Sequence, residues 1–322
     1  MKKTFISALI ICALASCNNP VEPTELKRES AVSQFGDSIY LSPAVMCMDY
    51  FQGHLYVSDQ SDGIYVFDRN FEPKEHFARK GYAKGESLEN DHFYISPDGA
   101  LHLINCGHIS IDKYVDGIYK DGMKLPSEHR LSASTRFFFL GDTLYHSIVG
   151  EDNYVLLKCK DKILKEMCKG VKEYDDPHKP LHSERHLIRG EESFFVIGIS
   201  LPIFQEYSFD GELLGNYDLT NISDIKKEFN ASKSDDPKSF VVLIPDVQYS
   251  NGKVYLLFSR QLPSYSCNTL VVIDTHLHDY RHTATYRLPE EVYSTFCITD
   301  NNECIAFECA QSAFEKYILP KM

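Results

Sequence analysis

Residues Asp91–Tyr114 read DHFYISPDGALHLINCGHISIDKY. His92–Ser96 carries Phe93 and Ile95 in alternation with polar residues, the period of a strand. Ser96-Pro97-Asp98-Gly99 is a turn: proline presets φ at its position, and glycine tolerates φ > 0. Leu101–Asn105 and Ile109–Tyr114 then alternate apolar and polar again. The stretch predicts strand, tight turn, strand, short loop, strand. A unit of this kind cannot bury its apolar face alone, so it should recur and stack on its copies.

Equivalent turn signals stand at Gln52-Gly53, Gly141-Asp142, Gly190-Glu191, Asn251-Gly252 and Asn301-Asn302. Each precedes a β-rich run: His54–Ser58, Thr143–Val149, Ser193–Ile199, Lys253–Ser259 and Glu303–Phe307. Counted from the second residue of each turn, with Gly99 standing for the quoted one, the spacings are 46, 43, 49, 61 and 50 residues. A four-stranded propeller blade takes roughly 40–50 residues. The expected fold is therefore all-β, a six-bladed β-propeller. The last blade, Val292–Leu319, is one strand short, and Ala31–Leu41 has no other home. That early segment is expected to pair with Ala313–Leu319 and close the ring, which removes an open sheet edge.

The first residues stand apart. Met1-Lys2-Lys3 is a basic n-region and Phe5–Ala13 an apolar run too short to remain as a spanning helix. Leu14-Ala15-Ser16-Cys17 resembles a bacterial lipobox, which implies cleavage before Cys17 and lipidation of that residue. Two or more acyl chains give stable anchoring. The expected organisation is a signal peptide at 1–16, a polar tether at 17–30 and the propeller at 31–322.

The formal charge is −13, and losing Lys2 and Lys3 with the signal makes it −15. An acidic body repels phosphate backbones, so nucleic acid is not an expected partner. Eight of the ten cysteines remain after Cys12 and Cys17 are set aside, and they form no CxxC pattern. Their default role is that of a small buried hydrophobe. One pair, Cys297 and Cys304, faces across the last hairpin if it turns at Asp300-Asn301, as a disulfide requires, and does not if it turns at Asn301-Asn302.

Phe77-Ala78-Arg79-Lys80-Gly81-Tyr82-Ala83-Lys84-Gly85-Glu86, followed by Phe93-Tyr94-Ile95-Ser96-Pro97-Asp98-Gly99, resembles the GxGxGEF … DG(x)IYV pattern of NHL-like and TolB-like six-bladed propellers. More narrowly, the chain resembles the propeller lipoproteins of Bacteroidetes-type cell envelopes. The motif is degenerate: Tyr82 and Ala83 replace small or proline residues, and Ser87-Leu88 replaces the phenylalanine. The resemblance implies a fold and a place, lipid-anchored to the outer membrane and facing the periplasm or the exterior. It carries no established chemistry.

The sequence holds no HExxH, no GxSxG and no phosphate-binding glycine loop. Trp is absent, which excludes WD repeats. Asp59-Gln60-Ser61-Asp62-Gly63 lacks the ligand spacing of a calcium loop and reads as a turn. His178, His182 and His186 recur every four residues, but Pro177 and Pro180 break any helix that would align them. Asn221–Asn230 is the better helix. No cofactor, metal site or catalytic residue is expected.

Long connections, Gly81–Asn90, Pro126–Ala133, Gly170–Glu184, Thr220–Ser239 and Arg260–Asn268, emerge on one face of a propeller. Loops on a rigid scaffold carry recognition. Tyr82, His129, Arg130, His182, Arg185, Arg260 and Tyr265 are the candidate contacts, Arg for forked bonds to carboxylates and Tyr for stacking. The expected function is a membrane-anchored binding or scaffold module for a protein, peptide or glycan. The alternative is a metal-dependent lactonase- or esterase-type hydrolase with ligands scattered around the channel, which no motif scan detects.

Overall fold

The computed structural model describes residues 21–36, 39–88, 90–124, 130–131, 134–149, 155–159, 162–167, 184–232, 241–261 and 263–320. Cys17 lies outside them. The fold is an all-β propeller. Two short strands come first, β1 (Thr24–Glu25) and β2 (Arg28–Val32). Blade one is β3 (Val45–Phe51), β4 (His54–Asp59), β5 (Gly63–Asp68) and β6 (Pro73–Phe77). Blade two is β7 (Asn90–Ile95), β8 (Leu101–Asn105), β9 (Ser110–Val115) and β10 (Ile118–Lys124). After β11 (Arg130–Leu131), blade three is β12 (Phe138–Leu140), β13 (Thr143–Val149), β14 (Val155–Cys159) and β15 (Lys162–Met167), with β11 also paired to β13. Blade four is β16 (Arg185–Arg189), β17 (Ser193–Gly198), β18 (Ile203–Ser208) and β19 (Leu213–Asp218). Helix α1 (Ser223–Ser232) follows, and blade five is β20 (Asp246–Ser250), β21 (Lys253–Arg260), β22 (Ser266–Asp274) and β23 (Arg281–Arg287).

The chain thus completes five blades from consecutive strands, rather than six. The remaining run, β24 (Tyr293–Ile298), β25 (Glu303–Glu308) and β26 (Ala313–Ile318), forms a further sheet only with β2 on its outer edge. The innermost strands touch in sequence: β3 with β7, β7 with β12, β12 with β16, β16 with β20, β20 with β24, and β24 with β3.

The turn that opened the reading folds as its residues dictate. Ser96 N–H donates to the Ala100 carbonyl at 2.9 Å, and Gly99, at φ 84°, donates to the Ser96 carbonyl at 2.8 Å. Phe93 then lies opposite Leu103, and Ile95 opposite Leu101. Gly63 is required for another reason: a Cβ there would sit 2.7 Å from the Phe77 carbonyl oxygen.

The seams between sheets are apolar. Phe93, Leu103 and Tyr114 meet Cys47 and Ile64 between blades one and two. Phe138, Tyr145 and Phe194 fill the seam between blades three and four. Between blades four and five, α1 adds Ile225 and Phe229 to Phe204, Val254 and Leu256. A fully buried phenylalanine or leucine contributes about 1.5–3 kcal/mol. These faces therefore hold the sheets together.

Three expectations need correction. The closing strand is Arg28–Val32, not Ala31–Leu41: Ala31 lies opposite Glu315 and Val32 opposite Phe314. Outer strands are exposed and need no apolar alternation, as β10 (IYKDGMK) and β19 (LLGNYD) also show. Arg28-Glu29-Ser30 was thus polar enough to read as tether. The segment after it packs rather than pairs along its length. Phe35 is buried, with its ring 4.8 Å from that of Phe314 and 5.2 Å from that of Phe67.

The body also begins before residue 31. Thr24 and Glu25 pair in parallel with Tyr286 and Arg287, so β1 is a fifth strand on blade five.

Finally, Cys297 lies opposite Ile305, and Cys304 opposite Ile298. The three-residue turn Asp300–Asn302, with Asn302 at φ 60°, shifts the pairing by one. The two thiols therefore face different seams, Cys297 toward blade one and Cys304 toward blade five, and both are free.

Candidate functional site

Two places combine geometry with chemistry: a buried polar cluster on the axis, and an open groove between blades two and three.

The axial cluster is built where the innermost strands begin. Arg136 leads into β12. Its Nε donates to Asp246 Oδ1 at 2.7 Å and its Nη2 to Asp246 Oδ2 at 2.9 Å, a forked pair. Nη2 also donates to the Met48 carbonyl at 3.0 Å. Asp246 accepts further bonds from Thr295 Oγ1 at 2.6 Å and from Val247 N–H at 2.8 Å. Gln248 Nε2 donates to the carbonyls of Met48 and Phe296, at 3.1 and 3.2 Å. Arg136 N–H donates to His186 Nδ1 at 3.1 Å, and His186 Nε2 donates to the Ile244 carbonyl at 3.0 Å. The Arg136 guanidinium thus joins blades one and five to its own blade three, its backbone N–H adds blade four, and Thr295 adds the composite sheet.

Burial alone would raise the Asp246 carboxyl, but the Arg136 charge and hydrogen bonds outweigh it and hold it below its ordinary value. Burial pushes His186 down to about 3 and His146 down to about 4, so both imidazoles are neutral at pH 7. Asp49, on β3, is raised by burial, with Arg136 partly offsetting. Charges in such a setting need hydrogen-bond partners; both Asp246 oxygens have them, and Arg136 Nε and Nη2 do too. Among the described residues no set of three or more His, Cys, Asp or Glu side chains is arranged to hold a metal ion.

The groove has a volume of about 540 Å³. Its walls include Asp98, His102, Lys113, Asp121 and Phe139. The His102 ring stacks on Phe139 with centroids 4.2 Å apart. Burial, with Lys113 nearby, lowers His102 to about 4, so it presents a neutral ring. The turns at Asp98 and Asp142 place this groove on the face of short hairpin turns, opposite the long connections.

The candidate contacts do not converge. Tyr82 is 81% exposed and Tyr265 48%, on the long-loop face. Arg260 is tied within its own sheet, Nη2 donating to Asn268 Oδ1 and Thr269 Oγ1 at 3.2 Å each. Arg185 is buried, with its N–H donating to Ser147 Oγ at 3.2 Å. Arg130 lies on β11, and its side chain is outside the described residues, as are His129, His178 and His182. His186 belongs to β16, not to a loop. Asp59 builds a turn, accepting from Ser42 N–H at 2.6 Å and Ser61 N–H at 2.8 Å.

Sequence reading missed Arg136, Asp246, His92, His146, Gln248 and Thr295. For all of these but His146, which lies on β13, the second strand of blade three, the available signal was a polar or charged residue near the start of successive innermost strands, which a propeller aims toward its axis.

No protein-family model matches the chain, and no curated protein does. Solved structures do. A Bacteroides fragilis protein described as exported superimposes with a TM-score of 0.59 at 13% identity, covering 86% of this chain and 82% of that one. A streptogramin B lyase gives 0.52 at 13% identity, covering 89% and 96%. A virginiamycin B lyase from Staphylococcus aureus gives 0.50 at 10% identity, covering 91% and 89%. At such identities the likenesses establish the β-propeller fold.

Proposed function

We propose that the protein is a cell-envelope lipoprotein, anchored through Cys17, whose six sheets act as the six blades of one ring and serve as a binding module for a peptide or glycan. The observation that carries the reading is the groove between blades two and three. Its volume, about 540 Å³, lies within the roughly 300–1,000 Å³ of small-ligand sites. The stacked His102 and Phe139 rings offer a flat face to a sugar ring or a peptide plane. Lys113 and the carboxylate of Asp121 offer one donor and one acceptor of opposite charge. The axis carries a buried ion pair, whereas the groove is open to solvent. The likeness to an exported Bacteroides fragilis protein supports an envelope location.

The test is direct. The mature protein is screened on glycan and peptide arrays, and each hit is re-measured with Phe139→Ala and Lys113→Ala. The reading expects both variants to weaken binding. Hits unaffected by either variant, but lost with Tyr82→Ala or Tyr265→Ala, would move recognition to the long-loop face. The anchor is tested by Cys17→Ala, which should shift the protein from the membrane to the soluble fraction.

A further inference from the structure

The wall that blade two gives to the groove is a row of side chains set by strand register. Tyr94 on β7 lies opposite His102 on β8, His102 opposite Lys113 on β9, and Lys113 opposite Asp121 on β10. Directly opposed residues share one face of a sheet, with neighbours about 4.5–5.5 Å apart. From axis to rim the row therefore runs phenol, imidazole, ammonium, carboxylate. The next row on the same face, Ile104, Ile111 and Met123, is apolar. Phe139 of blade three closes on this wall: its ring lies 4.2 Å from that of His102 and 6.5 Å from that of Tyr94. The floor is thus a ring shelf. Asp98, Asp121 and Asp142 are exposed and stand at the rim.

Charge decides what such a groove admits. Among its described lining residues, three carboxylates, Asp98, Asp121 and Asp142, stand against one ammonium, Lys113, a net charge of −2. The Ser96 hydroxyl holds the Asp98 carboxyl below its ordinary value, so that group stays ionised. The His102 ring is neutral and adds no positive charge at pH 7. The whole chain is acidic as well, at −13. The field in the groove therefore draws cations and repels anions, acidic glycans included. Carboxylates alone would form a solvated rim; here they border a ring shelf inside a cavity of about 540 Å³.

We propose that the groove recognises a basic peptide and receives an arginine side chain, an inference that rests on the groove being the binding site. The apolar stem of arginine lies on the ring shelf, as such stems do on apolar surface. The guanidinium stacks on planar rings and forks onto carboxylates, which the rim supplies. Lys113, between ring and rim, donates to a main-chain carbonyl of the peptide. A neutral sugar would use the shelf but leave the rim charges without a partner of opposite sign.

Blocked, dye-labelled glycine pentapeptides carrying arginine, citrulline or glutamate at the centre are titrated against the mature protein by fluorescence anisotropy, with maltohexaose as a neutral competitor. Citrulline keeps the shape of arginine and removes its charge. The arginine peptide should bind roughly tenfold or more tighter than the citrulline peptide, and the glutamate peptide should bind weakest. Asp121→Asn should reduce the arginine preference, and so should added salt, which screens exposed charges. Asp121 is exposed on an outer strand, so that variant keeps the fold even where Phe139→Ala does not. Equal binding of the arginine and citrulline peptides, both lost with Phe139→Ala, would overturn the inference and leave the groove as the site. Binding of maltohexaose in place of every peptide, with the same loss, would overturn it in favour of a glycan. An arginine preference untouched by both Asp121→Asn and Phe139→Ala would place the cation elsewhere and remove the groove reading with it. Absence of binding by every probe would overturn the inference as well.

Discussion

The seams and the axis of this propeller are built from opposite chemistry. Between the sheets lie Phe, Leu, Ile, Val and Tyr, packed face to face with no need for specific partners. On the axis lie Arg136, Asp246, His186, His92, His146 and Thr295, each buried and most with defined partners. The difference teaches how the ring divides its labour. Apolar area is non-directional and holds any two neighbouring sheets together. A forked guanidinium accepts one geometry only, so Arg136 fixes how sheets that do not touch sit relative to one another. The seams carry most of the stability, and the axis carries the alignment.

Acid should separate the two regions most strongly. Burial holds the folded-state pKa of His186, about 3, and of His146, about 4, below the ordinary imidazole value of 6.5. The unfolded chain therefore binds more protons between these values, and stability rises with pH across that window. Read downward, it is lost as pH falls below about 6.5, by about 1.4 kcal/mol per pH unit for each histidine at most. Asp246, whose folded value is lowered, adds a loss with the same sign at still lower pH. Melting curves from pH 7 to pH 4 should show a steep fall in Tm, and His146→Gln should make the fall shallower. An unchanged slope in that variant would remove His146 from the account.

A seam substitution attacks the other region. Leu55 is fully buried between the composite sheet and blade one. Leu55→Ala should cost about 2–5 kcal/mol in denaturant unfolding without altering the pH dependence. A change in pH slope would mean that seam and axis are coupled.

The rim should respond least. Arg28, 39% exposed, pairs with the Glu315 carboxylate, which is 2% exposed, and joins β2 to the composite sheet. Glu315 also accepts a bond from Tyr293 Oη at 2.6 Å and another from Tyr317 Oη. Arg28→Ala should therefore cost about 1–3 kcal/mol, toward the low end because solvent screens the exposed guanidinium. Deleting the chain up to Val32 should cost more, since it opens the sheet edge. Equal melting of that truncated chain and the mature protein would contradict the clasp.

These contrasts also explain what could be read beforehand. Strands such as Leu101–Asn105 and Ser193–Gly198 were legible because turn chemistry and alternation are local. The closing strand was not, because Arg28-Glu29-Ser30 sits on the exposed edge and owes its place to Glu315, far along the chain. The axis was hidden for the same reason. Arg136 and Asp246 are 110 residues apart, and only the closed ring brings them together. Arg185 looked like a surface contact because an arginine at a strand start carries no mark of burial. The groove at His102 and Phe139 was missed because loop length pointed to the opposite face.

The central claim is that one buried ion pair on the axis aligns sheets that the seams hold together. A double-mutant cycle tests it most directly, using denaturant unfolding of Arg136→Met, Asp246→Leu and the pair. Each single change leaves a buried charge or donor unpaired and should cost about 3–5 kcal/mol. The double change should recover much of that loss, giving a coupling energy above about 2 kcal/mol. A coupling within about 0.5 kcal/mol of zero, the range for independent sites, would contradict the claim.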